Sequence, residues 1–178
     1  MGDIKVNEIK TDTIKNQAGT SAISINSSGV VTQPAKPMFQ VGLSAHQAIA
    51  TATDTKVTWN DVQTSSGGFN IGNHFDTSNN RFNPSVSGYY HIIIQLRLES
   101  TTPDFLVLYI RKNGSTIRQQ VSVEGNAQNS YVCLHTSTIV HMNGSSDYIE
   151  TVINHNVGST TNLVSNYGHT QFGGYLIG

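Results

Sequence analysis

Phe75 to Ile94 reads FDTSNNRFNPSVSGYYHIII, a polar turn run joined without a break to a strand pattern. Asp76 to Asn80 consists of residues that tolerate turn geometry, and Pro84 and Gly88 punctuate the residues beyond it. Tyr89 to Ile94 is aromatic and β-branched, the composition of a pleated, half-buried strand. Side chains alternate across such a strand, so Tyr90, Ile92 and Ile94 are expected on the core face and Tyr89, His91 and Ile93 on the outward face.

The spacing in this block is Phe75, six residues, Phe82, five residues, Gly88, one residue, Tyr90, then Ile92 and Ile94. It resembles the globular-head signature of complement subcomponent q (C1q). Val140, Met142, Gly144 and the run DYIETVI from Asp147 to Ile153 resemble that family's next pair of strands, with one extra residue between Gly144 and Asp147. The terminal FGGYLIG resembles its closing strand. The resemblance runs from Met38 to Gly178, with Asn60 the candidate for the Asn usual in the first half of the signature and Gln63 to Asn73 reading as an insertion. It implies an all-β, ten-stranded jelly-roll sandwich related to tumour necrosis factor, assembled as a trimer through the jelly-roll flanks. The signature's structural core would then be Phe75, Phe82, Gly88, Tyr90, Ile92, Ile94 and Tyr175. The trimer interface would fall on Tyr89, His91 and Ile93, with Tyr148 and Glu150 from the later strand.

Composition agrees independently. At 178 residues the chain is long enough for one buried core plus a short extension. Charged residues make up 12%, against about a quarter in an average soluble domain, so uncharged polar side chains cover the surface. That suits extracellular β proteins and virion proteins. A net charge of −1 and the lack of any Lys/Arg cluster remove the electrostatic footprint of a nucleic-acid binder. No apolar run approaches the length that crosses a bilayer, so no membrane insertion is expected. Met1-Gly2-Asp3 opens no positively charged, apolar signal sequence.

Cys133 is the only cysteine, which rules out an intrachain disulfide. Its place in the alternating run Tyr131 to Leu134 predicts burial as a small hydrophobe. A free thiol fits a protein made in a reducing cytoplasm and released by lysis, as virion proteins are.

Residues 1–37 differ from the rest. Ile4, Val6 and Ile9, then Ile23 and Ile25, alternate with polar residues, and Pro34 and Pro37 bracket a hinge. Strands this short cannot bury an apolar face alone, which predicts packing on neighbouring chains. The wording resembles the N-terminal stems of bacteriophage fibre and virion-surface proteins, and implies an anchoring arm contacting other virion proteins. The same Ser, Thr and Asn content also fits a disordered tail.

In the body, Met38 to Ala45, Thr55 to Trp59 and Phe105 to Gly114 are strand candidates. Asn113-Gly114 is the strongest two-residue hairpin signal, because the turn matching strand twist needs positive φ at both positions. Ser115 to Val123 should return from it, and Asn143-Gly144 is a second such signal. No helical periodicity and no constant-period repeat is present.

The chemistry-bearing residues do not form motifs. The seven histidines, at 46, 74, 91, 135, 141, 155 and 169, show no zinc-site spacing. His91 faces outward and could meet its own copies on a threefold axis, but a hydrogen-bonded interface side chain is the preferred reading, so no metal is predicted. Asp76 to Asn80 carries oxygen donors without the spaced carboxylates of a calcium loop, so a polar turn is preferred. Ser137 near His135 or His141 lacks a Gly-flanked elbow, and Glu99, Asp104, Glu124 and Glu150 show no pairing. No catalytic or cofactor-binding residue is predicted, and the protein is expected not to be an enzyme.

Two binding roles remain. In the preferred one, a trimeric virion fibre or knob touches a host-surface glycan or protein through its jelly-roll head. Loops Ala50 to Asp54, Ser65 to His74 and Ala127 to Tyr131 would offer hydrogen-bonding surfaces for it. In the alternative, the trimer is a capsid decoration or cement protein with the leader laid across shell subunits. A secreted ligand of the same fold would want a signal peptide and often a collagen repeat, neither of which stands in the sequence.

Overall fold

The computed structural model describes residues 11–62, 67–99, 105–122 and 131–178. Ile4, Val6, Ile9, Asp104 and Glu124 lie outside the described residues, as do residues 65–66 and 127–130 of two of the proposed recognition loops. The chain divides into two compact units, Met1–Lys36 and Pro37–Gly178.

The first unit is an antiparallel meander of β1 (Thr13–Lys15), β2 (Ser21–Ile25) and β3 (Val31–Thr32). Its second turn is held by Asn26, whose side-chain oxygen accepts the N–H groups of Ser28 and Val30. None of residues 11–36 is buried, and Ile14, Val30 and Val31 are about half exposed or more. Three short strands offer no second layer to cover them.

The second unit contains β4 (Met38–Val41), β5 (Gln47–Ile49), β6 (Thr55–Lys56), β7 (Phe69–Ile71), β8 (Phe75–Asp76), β9 (Arg81–Phe82), β10 (Gly88–Glu99), β11 (Leu106–Lys112), β12 (Ser115–Ser122), β13 (Val132–Met142), β14 (Ile149–His155), β15 (Thr161–Leu163) and β16 (Gln171–Leu176). One sheet runs β5-β15-β10-β16-β4-β7, with β13 paired along the other edge of β10. The second runs β12-β11-β14-β9-β8, with β6 also on β14. Two antiparallel layers enclose one core, as the jelly-roll expectation requires. The strand count exceeds ten because ladders of two or three residues, such as β6, β8 and β9, are separate pieces.

The core follows from the alternation along β10, where Tyr90, Ile92, Ile94, Leu96 and Leu98 are fully buried. Phe39, Phe75, Phe82 and Phe172 meet Tyr90 and Trp59 between the sheets. Phe39 stacks on Phe82 with centroids 4.4 Å apart and meets Phe172 edge-on at 4.9 Å. Each such side chain contributes about 1.5–3 kcal/mol by leaving water. Trp59 Nε1 donates to Thr151 Oγ1 at 2.7 Å, so the indole is buried with its one donor satisfied.

Several local expectations need correction. Tyr175 is 43% exposed and does not belong to the signature's core. It pairs with His91 across β10–β16, and so shares the outward parity while Phe172 and Gly174 face in. Cys133 is exposed, because Val132, Leu134 and Thr136 take the inward positions of β13 and Cys133 faces outward opposite Arg97. The segment read as a strand from Thr55 stops at Lys56, and the one from Met38 stops at Val41, followed by a single bridge from Gly42 to Asp61. Asn113 and Gly114 both have positive φ, 52° and 80°, in the two-residue hairpin. Asn143-Gly144 is a different turn. Asn143 is not in the positive-φ region, and its side-chain oxygen accepts the N–H groups of Ser145, Ser146 and Asp147 instead.

Candidate assembly face

The outward side of the β13–β10–β16–β4–β7 sheet gathers large apolar and aromatic residues that no described residue of this unit covers. Tyr89 is 56% exposed, Ile93 42% and Ile139 62%. Ile71 and Ile177 are exposed as well, and Met38 is half-buried. The register explains the bare isoleucine: the cross-strand neighbours of Ile93 are Ser137 on β13 and Gly173 on β16. Neither small residue can shield a Cδ methyl group, so Ile93 stands above the sheet.

Imidazole and phenol groups flank this isoleucine. His91 lies opposite Ile139 and Tyr175, with Nδ1 3.2 Å from the Tyr175 hydroxyl and the rings edge to face at 5.5 Å. Tyr89 lies opposite His141 with ring centroids 5.2 Å apart, and Gln95 lies opposite His135. From Tyr89 to Gln95 the outward positions of β10, and those paired with them on β13 and β16, carry no carboxylate. Arg97 marks the far end with its guanidinium 3.4 Å from the Tyr131 ring centroid. Glu99, beyond it, accepts from Asn162 at 3.0 Å.

A second open surface lies at the sandwich edge, where β12 and β13 are the outermost strands of their sheets and do not pair with each other. The cleft between them has a volume of about 420 Å³ and is lined by Arg118, Gln120, Val121, Leu134, His135 and Thr136, among others. Arg118 Nε reaches Thr136 Oγ1 at 3.4 Å across it. Ile117 and Val121 stand exposed on the β12 side.

Tyr148 and Glu150 do not join Tyr89, His91 and Ile93 on this face. Glu150 lies on β14 in the other sheet and Tyr148 just precedes that strand; Glu150 accepts from Lys56 Nζ at 2.6 Å and Arg81 stacks on the Tyr148 ring at 4.7 Å. The Asp76 carboxylate is likewise occupied: Oδ1 accepts from Ser78 and Asn79 N–H and Oδ2 from Asn79 Nδ2 at 2.6 Å. These bonds hold it below the usual carboxylate range, and they make the DTSNN run a hairpin turn between β8 and β9. A serine–histidine contact that spacing could not reveal joins Ser165 Oγ to His46 Nδ1 at 2.9 Å. The same nitrogen also faces the Ser165 N–H at 3.2 Å, so it clasps two loops.

Among the described residues no three His, Cys, Asp or Glu side chains gather as metal ligands. Two histidines are buried. His155 Nε2 donates to the Ile49 carbonyl at 3.1 Å while Nδ1 accepts from Val157 N–H at 3.3 Å, and burial holds its pKa below the ordinary imidazole value. His74 is shifted the same way by burial. Neither belongs to the outward face.

No family model matches the sequence, and no curated protein is recognisably similar to it. Solved structures do resemble it in three dimensions. Murine APRIL at pH 5.0 superposes with a TM-score of 0.60 over 80% of this chain and 99% of that one, at 13% identity. The second unit is a tumour necrosis factor-like jelly roll. Eiger TNF from S. frugiperda agrees, with a TM-score of 0.57 over 80% of this chain and 91% of that one, at 8% identity. At such identities the likeness concerns the jelly roll's backbone path alone, and the surface chemistry described above belongs to this chain.

Proposed function

We propose that this chain is a non-enzymatic binding protein whose jelly-roll head assembles as a homotrimer, and that it serves on a virion surface as a fibre or knob attaching to a host glycan or protein. The observation that carries the assembly is the uncovered apolar face around Ile93 and Ile139, flanked by Tyr89 and Tyr175. A monomer leaves such a patch in water at a free-energy cost that a neighbouring copy removes. Two unlike open surfaces, the sheet face and the β12–β13 edge, occur on the same unit. Unlike patches join heterologously and give a ring where the rotation between copies closes, whereas a two-fold pair joins like with like.

The leader supports the virion setting. Its three strands bury nothing, so it gains its structure by packing on other chains: its own copies, or the particle proteins that residues 1–37 would contact. Thr51 and Thr53, the described residues of the loop at 65–74, and the exposed ring of Tyr131 offer hydrogen-bonding and stacking surface suited to sugars. The capsid-cement reading draws on the same leader, which at about 3.3 Å per residue fully extended reaches little beyond about 100 Å.

The test is adsorption of the full chain to host cells before and after periodate oxidation of their surface glycans. Binding abolished by oxidation supports the adhesin. Adsorption to undecorated capsids with no cell binding supports cement and overturns the adhesin reading.

A further inference from the structure

Histidine is the side chain whose charge changes between about pH 5 and pH 8. Three of the chain's seven, His91, His135 and His141, project from the face proposed for assembly. They occupy adjacent cross-strand positions of β10 and β13 around Ile93 and Ile139. His91 touches the Tyr175 hydroxyl, and His141 meets the Tyr89 ring. Among the described residues their cross-strand partners carry no carboxylate, and beside His141 the Asp147 carboxylate is taken up by Lys112, whose Nζ also donates to the His141 carbonyl. On β10 the ionisable neighbours are Tyr89 and Arg97, with Glu99 engaged by Asn162 at the strand's end. On β13 the neighbour is Cys133, on β16 it is Tyr175, and the outward positions of β4 are Met38 and Gln40. Across the open edge stands Arg118, and beside Gln95, which donates to the Gly168 carbonyl, comes His169.

We infer that this face is an acid-triggered release: protonation of His91, His135 and His141 drives the assembled heads apart. The inference rests on the trimer reading above. In neutral form the imidazoles pack as polar aromatic surface beside the isoleucines. Once charged, the three of one copy put like charges into the contact beside Arg97 and Arg118, on a stretch of sheet whose outward positions from Tyr89 to Gln95, and those paired with them, hold no carboxylate. Burying unpaired like charges opposes association, and every copy in the ring adds its own set. The setting this fits is a particle whose surface protein holds at neutral pH and lets go in an acidified compartment.

The experiment is light scattering of the full chain and of the triple variant His91→Gln, His135→Gln, His141→Gln at about pH 8 and about pH 5.5, on either side of imidazole titration. Fluorescence of Trp59, the single tryptophan, separates release from unfolding. The expected result is wild type at three times the 19.3 kDa chain mass at the higher pH and one chain mass at the lower, with Trp59 still buried. The triple variant should stay at three chain masses at both. A wild type that remains trimeric at about pH 5.5, or a triple variant that dissociates or unfolds in step with it, overturns the release while leaving the trimer standing. A wild type that is monomeric at about pH 8 overturns the trimer reading, and the release with it.

Discussion

Lys112 Nζ lies 2.8 Å from Asp147 Oδ2 and donates at 2.7 Å to the His141 carbonyl. The same carboxylate accepts from the Asn113 side chain at 2.8 Å and from the Asn143 N–H at 2.9 Å. Asn83, from the stretch that announces the fold, donates to the Asp147 carbonyl at 2.7 Å. One buried aspartate therefore ties the β11–β12 hairpin, the end of β13 and the start of β14 into one corner of the sandwich.

Asp147→Asn should destabilise the head by about 2 kcal/mol or more, because a charge-assisted network loses its anion and Lys112 keeps its charge. The Lys112 bond, then the Asn113 bond, lowers the Asp147 pKa to about 2 from 3.8. A folded value below the unfolded one stabilises the protein above about pH 4, and that contribution is lost as pH falls toward 2. Urea unfolding at a series of pH values should show the gap between wild type and variant closing over that window. A constant gap would contradict the assignment.

Gly144 has φ +72°, and a Cβ there would stand 2.3 Å from the Ser87 backbone nitrogen. Gly144→Ala should therefore destabilise by about 2 kcal/mol or more, combining left-handed strain with a backbone clash. An unchanged melting temperature would show that the β13–β14 turn does not abut residue 87.

The fold was legible because β10 carries its own parity: alternate buried residues from Tyr90 onward, with a turn and a glycine ahead of them, leave little freedom of register. What the sequence hid were choices of side and partner. Cys133 and Tyr175 are each one residue out of phase with the inward positions of their strands, and no local pattern shows which face of an edge region meets a second layer. Tyr148 and Glu150 look like outward strand residues, but only topology reveals that β14 lies in the opposite sheet from β10. Asn143-Gly144 carries the hairpin dipeptide, yet the Asp147 network imposes a wider turn.

The buried histidines predict acid sensitivity of the fold itself. Burial lowers the pKa of both His155 and His74. Their neutral forms therefore stabilise the folded state above the unfolded value of 6.5, and that contribution is lost as pH falls below it. Denaturant unfolding should give a lower free energy at about pH 5.5 than at about pH 8. His155→Gln should show a shallower dependence. A stability independent of pH across this range would contradict the buried neutral tautomer.

Tyr90 is fully buried against Phe82, and its hydroxyl donates to the Val86 carbonyl at 2.8 Å. Tyr90→Ala should cost about 3 kcal/mol or more in urea unfolding, from the cavity and the unpaired carbonyl. A loss under about 1 kcal/mol would mean that the register of β10 is wrong.

The central claim is that the sheet face around Ile93 is covered by another copy of this chain. Light scattering of wild type and Ile93→Asp at neutral pH tests it directly. The account predicts three chain masses for wild type and one for the variant, whose core stays intact because residue 93 points away from it. A wild type of one chain mass, or an Ile93→Asp variant that keeps three, would contradict it.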